Sequence, residues 1–78
     1  MSNEKKSKTL TKKEFDDFFN DLHEKINEKK KLLSLKKKIF KFVNENERFI
    51  DIIKNRNKNK DTYNMFLSIF IGKVKEYF

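Results

Sequence analysis

The sequence predicts an all-α fold, a small compact bundle of three to four helices, and three observations predict it. The 78-residue chain has no Pro and a single Gly, Gly72, too little turn chemistry for a many-stranded sheet, whose turns recur every ~8–12 positions. Phe15, Phe18, Phe19, Leu22, Ile26 and Leu33 recur at helical spacing and form one apolar stripe. Leu10-Thr11-Lys12-Lys13-Glu14-Phe15 carries a complete helix start: Thr11 as N-cap, Glu14 at N3 as its capping-box partner, and Leu10 stapled to Phe15.

The capping box places the start of the first helix at Lys12, and the stripe carries it to about residue 31. Residues 1–10 ahead of it are expected to be a disordered basic tail, and residues 11–78 a single helical domain. Leu32, Leu33, Leu35, Ile39, Phe40, Phe42 and Val43 cover about half of a helical wheel. That segment either continues the first helix or follows a break near Ser34, which would then act as an N-cap. Asn44 with Glu47 offers a further capping pair, and Phe49, Ile50, Ile52 and Ile53 belong to the helix after it. Asn55 to Lys60 is wholly polar and reads as a loop, with Asp61 as the N-cap of a last helix.

That last helix has Tyr63, Phe66, Leu67, Phe70, Val74 and Tyr77 on one face and Met65, Ile69 and Ile71 on others. Being nearly apolar all round in its first half, it is expected to be central and buried. The alternative for Phe66–Phe78 is a short hairpin turning at Gly72.

Composition excludes several classes of function. There is no Cys, so disulfides, thiolate nucleophiles and Cys-ligated metal centres are ruled out. No apolar run approaches the ~20 residues of a membrane span, and the polar, basic N-terminus lacks the apolar core of a secretory signal. The expected location is cytoplasmic. His23 is the only His, and no phosphate-cradling glycine motif is present, so no catalytic apparatus and no cofactor are expected.

Charge is segregated as well as abundant. The net charge is +8, from 18 Lys and only Arg48 and Arg56 set against 12 acids. Ala, Gln and Trp are absent, the mark of A·T-rich coding, which itself inflates Lys. Residues 14–28 carry −5 and residues 29–41 carry +7.

Three surfaces are candidates for binding. Glu14, Asp17, Asp21, Glu24 and Glu28 are spaced 3, 4, 3 and 4 apart, which on one helix aligns them opposite the Phe stripe. Such a row is either a solvated face relieved by Lys25 or by lysines elsewhere, or a dock for a basic partner. A divalent metal at Asp17, Asp21 and Glu24, with His23, is disfavoured because no ligand loop accompanies them. Lys30, Lys31, Lys37, Lys38 and Lys41 make an uninterrupted cationic face suited to phosphate contact. Lys54, Arg56, Lys58 and Lys60 would extend it. Nine Phe and two Tyr are many for a core this small, so Phe42, Phe49, Tyr77 and Phe78 are expected at the surface, as part of a protein interface or a homodimer contact.

These features together point to a non-enzymatic regulator, inhibitor or adaptor. It would bind a protein or a protein–nucleic-acid complex stoichiometrically, as befits a small phage or plasmid product. The alternatives are a DNA- or RNA-backbone binder using the Lys-rich face, and an immunity-type protein at an anionic membrane surface. Groove reading of DNA is disfavoured by the scarcity of Arg.

Overall fold

A computed structural model describes residues 9–78. The N-terminal tail expected from the sequence falls mostly on residues 1–8, outside the described residues. Leu10, assigned to that tail, is instead 4% exposed and part of the core. The helices are α1 (Lys12–Lys25), α2 (Lys29–Ser34), α3 (Lys36–Asn44), α4 (Glu47–Lys54) and α5 (Lys60–Lys75). Among the described residues there is no strand.

The start of α1 is the capping box read from the sequence. The Glu14 amide donates to Thr11 Oγ1 at 3.1 Å, and the Thr11 amide donates to Glu14 Oε1 at 2.9 Å. The helix ends earlier than its apolar stripe suggests, at Lys25, because Ile26 turns to an extended backbone (φ −110°, ψ 140°) and drives its side chain into the core, 1% exposed. Lys29 closes the end by donating its ammonium to the carbonyls of His23 and Ile26, a favourable place for a cation.

This break resets the helical phase. Leu32 is fully buried and Leu33, which would continue the stripe of an unbroken helix, is 53% exposed. The α-helical ladder lapses again at Leu35, whose amide reaches the Leu32 carbonyl three residues back at 3.0 Å. Ser34 does not cap α3; its hydroxyl donates to the Lys31 carbonyl.

The cap of α4 is Asn46, whose side chain accepts from the amides of Arg48 and Phe49, and not Asn44. Asn44 is engaged elsewhere, where its Oδ1 accepts the Leu10 amide at 2.7 Å, tying the start of the domain to the end of α3. Similarly α5 is capped by Asn59, which accepts from the Thr62 amide, while Asp61 sits inside the first turn. Gly72 lies within α5, which is one helix and not a hairpin.

The centre is aromatic. Phe18 of α1 lies 5.8 Å from Phe66 and 5.5 Å from Phe70 of α5, centroid to centroid, within the range of favourable ring pairs. Ile39 and Val43 of α3 and Ile50 and Ile53 of α4 close the core from the other side. Phe66, Leu67 and Phe70 are buried as expected, but α5 is not covered all round: Met65 is 65% and Ile69 61% exposed. A chain of this size buries only about 60% of its surface, and one face of α5 is left over. Among the described residues no helix is long and apolar enough to cross a membrane.

Candidate functional site

The acidic row does not stand as one solvated face. Glu14, Asp17 and Asp21 point at α4, the loop after it and α5. Glu14 Oε1 holds Lys54 Nζ at 2.9 Å, so one carboxylate oxygen both caps α1 and ties it to α4. The hydrogen bond from the Thr11 amide, and then that of Lys54, hold the Glu14 carboxyl below its ordinary 4.5. Asp17 accepts from Arg56 Nη2 at 3.1 Å, and Arg56 Nη1 donates to the Ile53 carbonyl at the end of α4. Asp21 accepts the Tyr63 hydroxyl at 2.6 Å; burial first, and then the Asp21 carboxylate, push that hydroxyl above its ordinary 10.0.

Lys54 and Arg56 are thus partners of the acidic row, not an extension of a free basic surface. Glu24 and Glu28 stay exposed, and Glu28 lies past the end of α1, at the start of α2. Among the described residues no three His, Cys, Asp or Glu side chains converge on a common metal position.

The lysine face is split between α2 and α3, with Lys30, Lys31, Lys37, Lys38 and Lys41 all exposed. None of them is in an ion pair among the described residues. Lys31 lies 5.8 Å above the Phe78 ring and Lys38 6.0 Å above Tyr77, contacts in which an aromatic face attracts the cation. Lys58 and Lys60 are exposed on the α4–α5 side of the molecule.

The aromatic candidates separate into two groups. Phe42 is 43% and Tyr77 65% exposed, whereas Phe49 and Phe78 are half-buried against the core. Phe42 and Phe49 nevertheless touch, 5.7 Å between centroids, and both lean on Phe70.

Around them runs a surface that the sequence discloses only in part. A trough of about 330 Å³ between α4 and α5 is lined by Phe49, Ile52, Met65 and Ile69 together with the cations Arg48 and Lys73. A second, about 290 Å³, continues between α3 and α5, lined by Phe42, Tyr77 and Lys38. The two share Phe70 and Lys73 and so form one apolar strip along α5. Met65 and Ile69 are spaced i,i+4, a signal present in the sequence but hidden by the apolar character of the whole helix.

A third hollow, of about 410 Å³, is lined by Phe15 and Phe40 among the charged Lys12, Asp16, Lys36 and Lys37. Phe40 closes edge-on over Phe15 at 4.9 Å, and Lys36 is drawn to Asp16 at 3.6 Å.

No protein-family model matches the chain, and no curated protein and no solved structure matches it at a significant level.

Proposed function

We propose that this chain is a non-catalytic regulator, inhibitor or adaptor that acts by stoichiometric binding, and that it grips a protein partner with the apolar strip along α5. One observation carries the reading: Met65, Ile69, Phe42 and Tyr77, four of the six exposed large hydrophobic side chains among the described residues, lie along one pair of connected troughs. Scattered exposed apolar residues are ordinary, but a contiguous strip with a polar rim is the usual mark of an interface. Aromatic and methionine side chains are also the types that interface centres favour.

A second reading has its own observation. Lys30, Lys37 and Lys41 are exposed and in no ion pair among the described residues, a surface that suits contact with a nucleic-acid backbone, with affinity falling steeply as salt rises.

The two readings separate in a capture experiment on the 78-residue chain in extract of its host. The strip reading expects a protein partner that survives nuclease treatment and high salt. It also expects that partner to be lost with Met65→Asp plus Ile69→Asp and kept with Lys30→Glu, Lys37→Glu and Lys41→Glu. Capture that is abolished by nuclease and by the lysine reversals, and untouched by the two aspartates, would replace it with the nucleic-acid reading.

A further inference from the structure

We infer that the occupant of the strip is an acidic amphipathic helix, which lays an apolar ridge between α4 and α5 and sets its carboxylates against Arg48 and Lys73. The inference rests on the strip reading above and names the chemistry of the partner.

Shape argues for a helix. Met65, Ile69 and Lys73 stand at i, i+4 and i+8 on α5 and form a ridge, with Phe49 and Ile52 of α4 across the trough. Rows of this spacing are what a further helix packs into, and an amphipathic helix in an apolar groove is a recurrent recognition mode. From Thr62 to Val74 the strip follows α5 for about 18 Å, the length of a helix of about twelve residues at ~1.5 Å each.

Charge argues for acids. The cations around the strip, Arg48, Lys73 and Lys38, are in no ion pair among the described residues. Among the described residues the only acid lining either trough is Glu76, at the C-terminal end. A helix with carboxylates flanking its apolar ridge would meet two cations over the α4–α5 trough and no acid there. A second copy of this chain, at +8, would bring like charge to the same place.

The test uses a labelled, side-chain-stapled peptide of about fourteen residues, with Leu at i, i+3, i+4 and i+7 and Glu on both flanks. It is titrated into the full chain by fluorescence anisotropy, with circular dichroism confirming that each variant keeps its helices. The peptide is expected to bind, and Ile69→Asp or Arg48→Glu with Lys73→Glu to weaken it at least about tenfold, as loss of an interface centre does. A Lys-for-Glu version should fail on the wild-type chain and gain on the Arg48→Glu, Lys73→Glu variant.

Equal binding by a sequence-scrambled peptide overturns the helix, and equal binding by the Lys version overturns the charge argument. Ile69-dependent binding to vesicles of phosphatidylcholine and phosphatidylglycerol, with no peptide bound, overturns both in favour of a lipid surface. If the peptides fail while nuclease-resistant capture of a protein still depends on Met65 and Ile69, the acidic helix falls and the strip reading stands. If capture fails too, both fall.

Discussion

Replacing Phe70 with Ala tests which face of α5 is inside. Phe70 is 2% exposed, and its ring meets Phe66 at 5.4 Å, Phe18 at 5.5 Å, Phe49 at 5.9 Å and Phe42 at 6.0 Å. A buried Phe→Ala change costs about 3–5 kcal/mol, the sum of lost transfer energy and an unfilled cavity. Phe42, already 43% exposed, and the half-buried Phe49 are free to lean inward and fill part of the space. The expected loss is therefore near the low end, about 3 kcal/mol. Against a total of roughly 4–12 kcal/mol for a domain of this length, that removes a quarter or more of the stability. Urea denaturation followed by circular dichroism measures it, with Met65→Ala as the control. Met65 is 65% exposed, so its truncation should cost less than ~0.5 kcal/mol. A Phe70→Ala cost below about 1 kcal/mol, or a Met65→Ala cost equal to it, would mean that α5 faces the other way and that the apolar strip does not exist.

Other outcomes follow from single residues. Gly72 is interior to α5 with open space where a Cβ would stand, so Gly72→Ala should raise stability by about 0.5–1 kcal/mol; a loss in denaturation would show that the site is crowded. Thr11→Ala should cost about 1 kcal/mol by removing the cap, whereas Glu14→Gln should keep the box and lose only the tie to Lys54, leaving a smaller deficit that salt reduces. The Tyr63 hydroxyl titrates higher in the folded chain than its ordinary 10.0. Its contribution is therefore complete below pH ~10, where the unfolded chain also holds the proton, and is lost as pH rises through the folded value. Tyr63→Phe should flatten that alkaline limb of the stability curve, and an unchanged limb would refute the partly buried Tyr63–Asp21 contact. Glu14 works in the opposite sense: its lowered value makes its contribution present above pH ~4.5 and lost as pH falls, so Glu14→Gln should flatten the acid limb.

What the sequence discloses depends on how local its cause is. The capping box at Thr11 and Glu14 is complete within four residues, and the all-helical class follows from the absence of Pro and the single Gly. The end of α1 is not local. Ile26 fits the stripe of a longer helix, and only the pull of the core on its side chain turns the backbone there. That turn also decides that Leu32 is buried rather than Leu33. Charge pairing is still less local: Glu14 meets Lys54 and Asp17 meets Arg56 about forty positions along the chain, so a row that looks like an open face turns out largely committed within the fold. The surplus of aromatic residues does announce an exposed apolar surface, and it names Phe42 and Tyr77. It misses Met65 and Ile69, because on a helix apolar all round the exposed face is chosen by which neighbours remain to cover it.

The claim that the strip along α5 is the working surface is tested most directly by a photo-reactive amino acid placed at Ile69 and, separately, at Leu33, with crosslinking in host cells. Both positions are exposed, 61% and 53%, and Leu33 lies outside the two strip troughs. A discrete protein adduct is expected from Ile69, resistant to nuclease and absent from Leu33. An adduct from Leu33 equal to that from Ile69, or none from Ile69 while a probe at Lys37 crosslinks to nucleic acid, would contradict the claim.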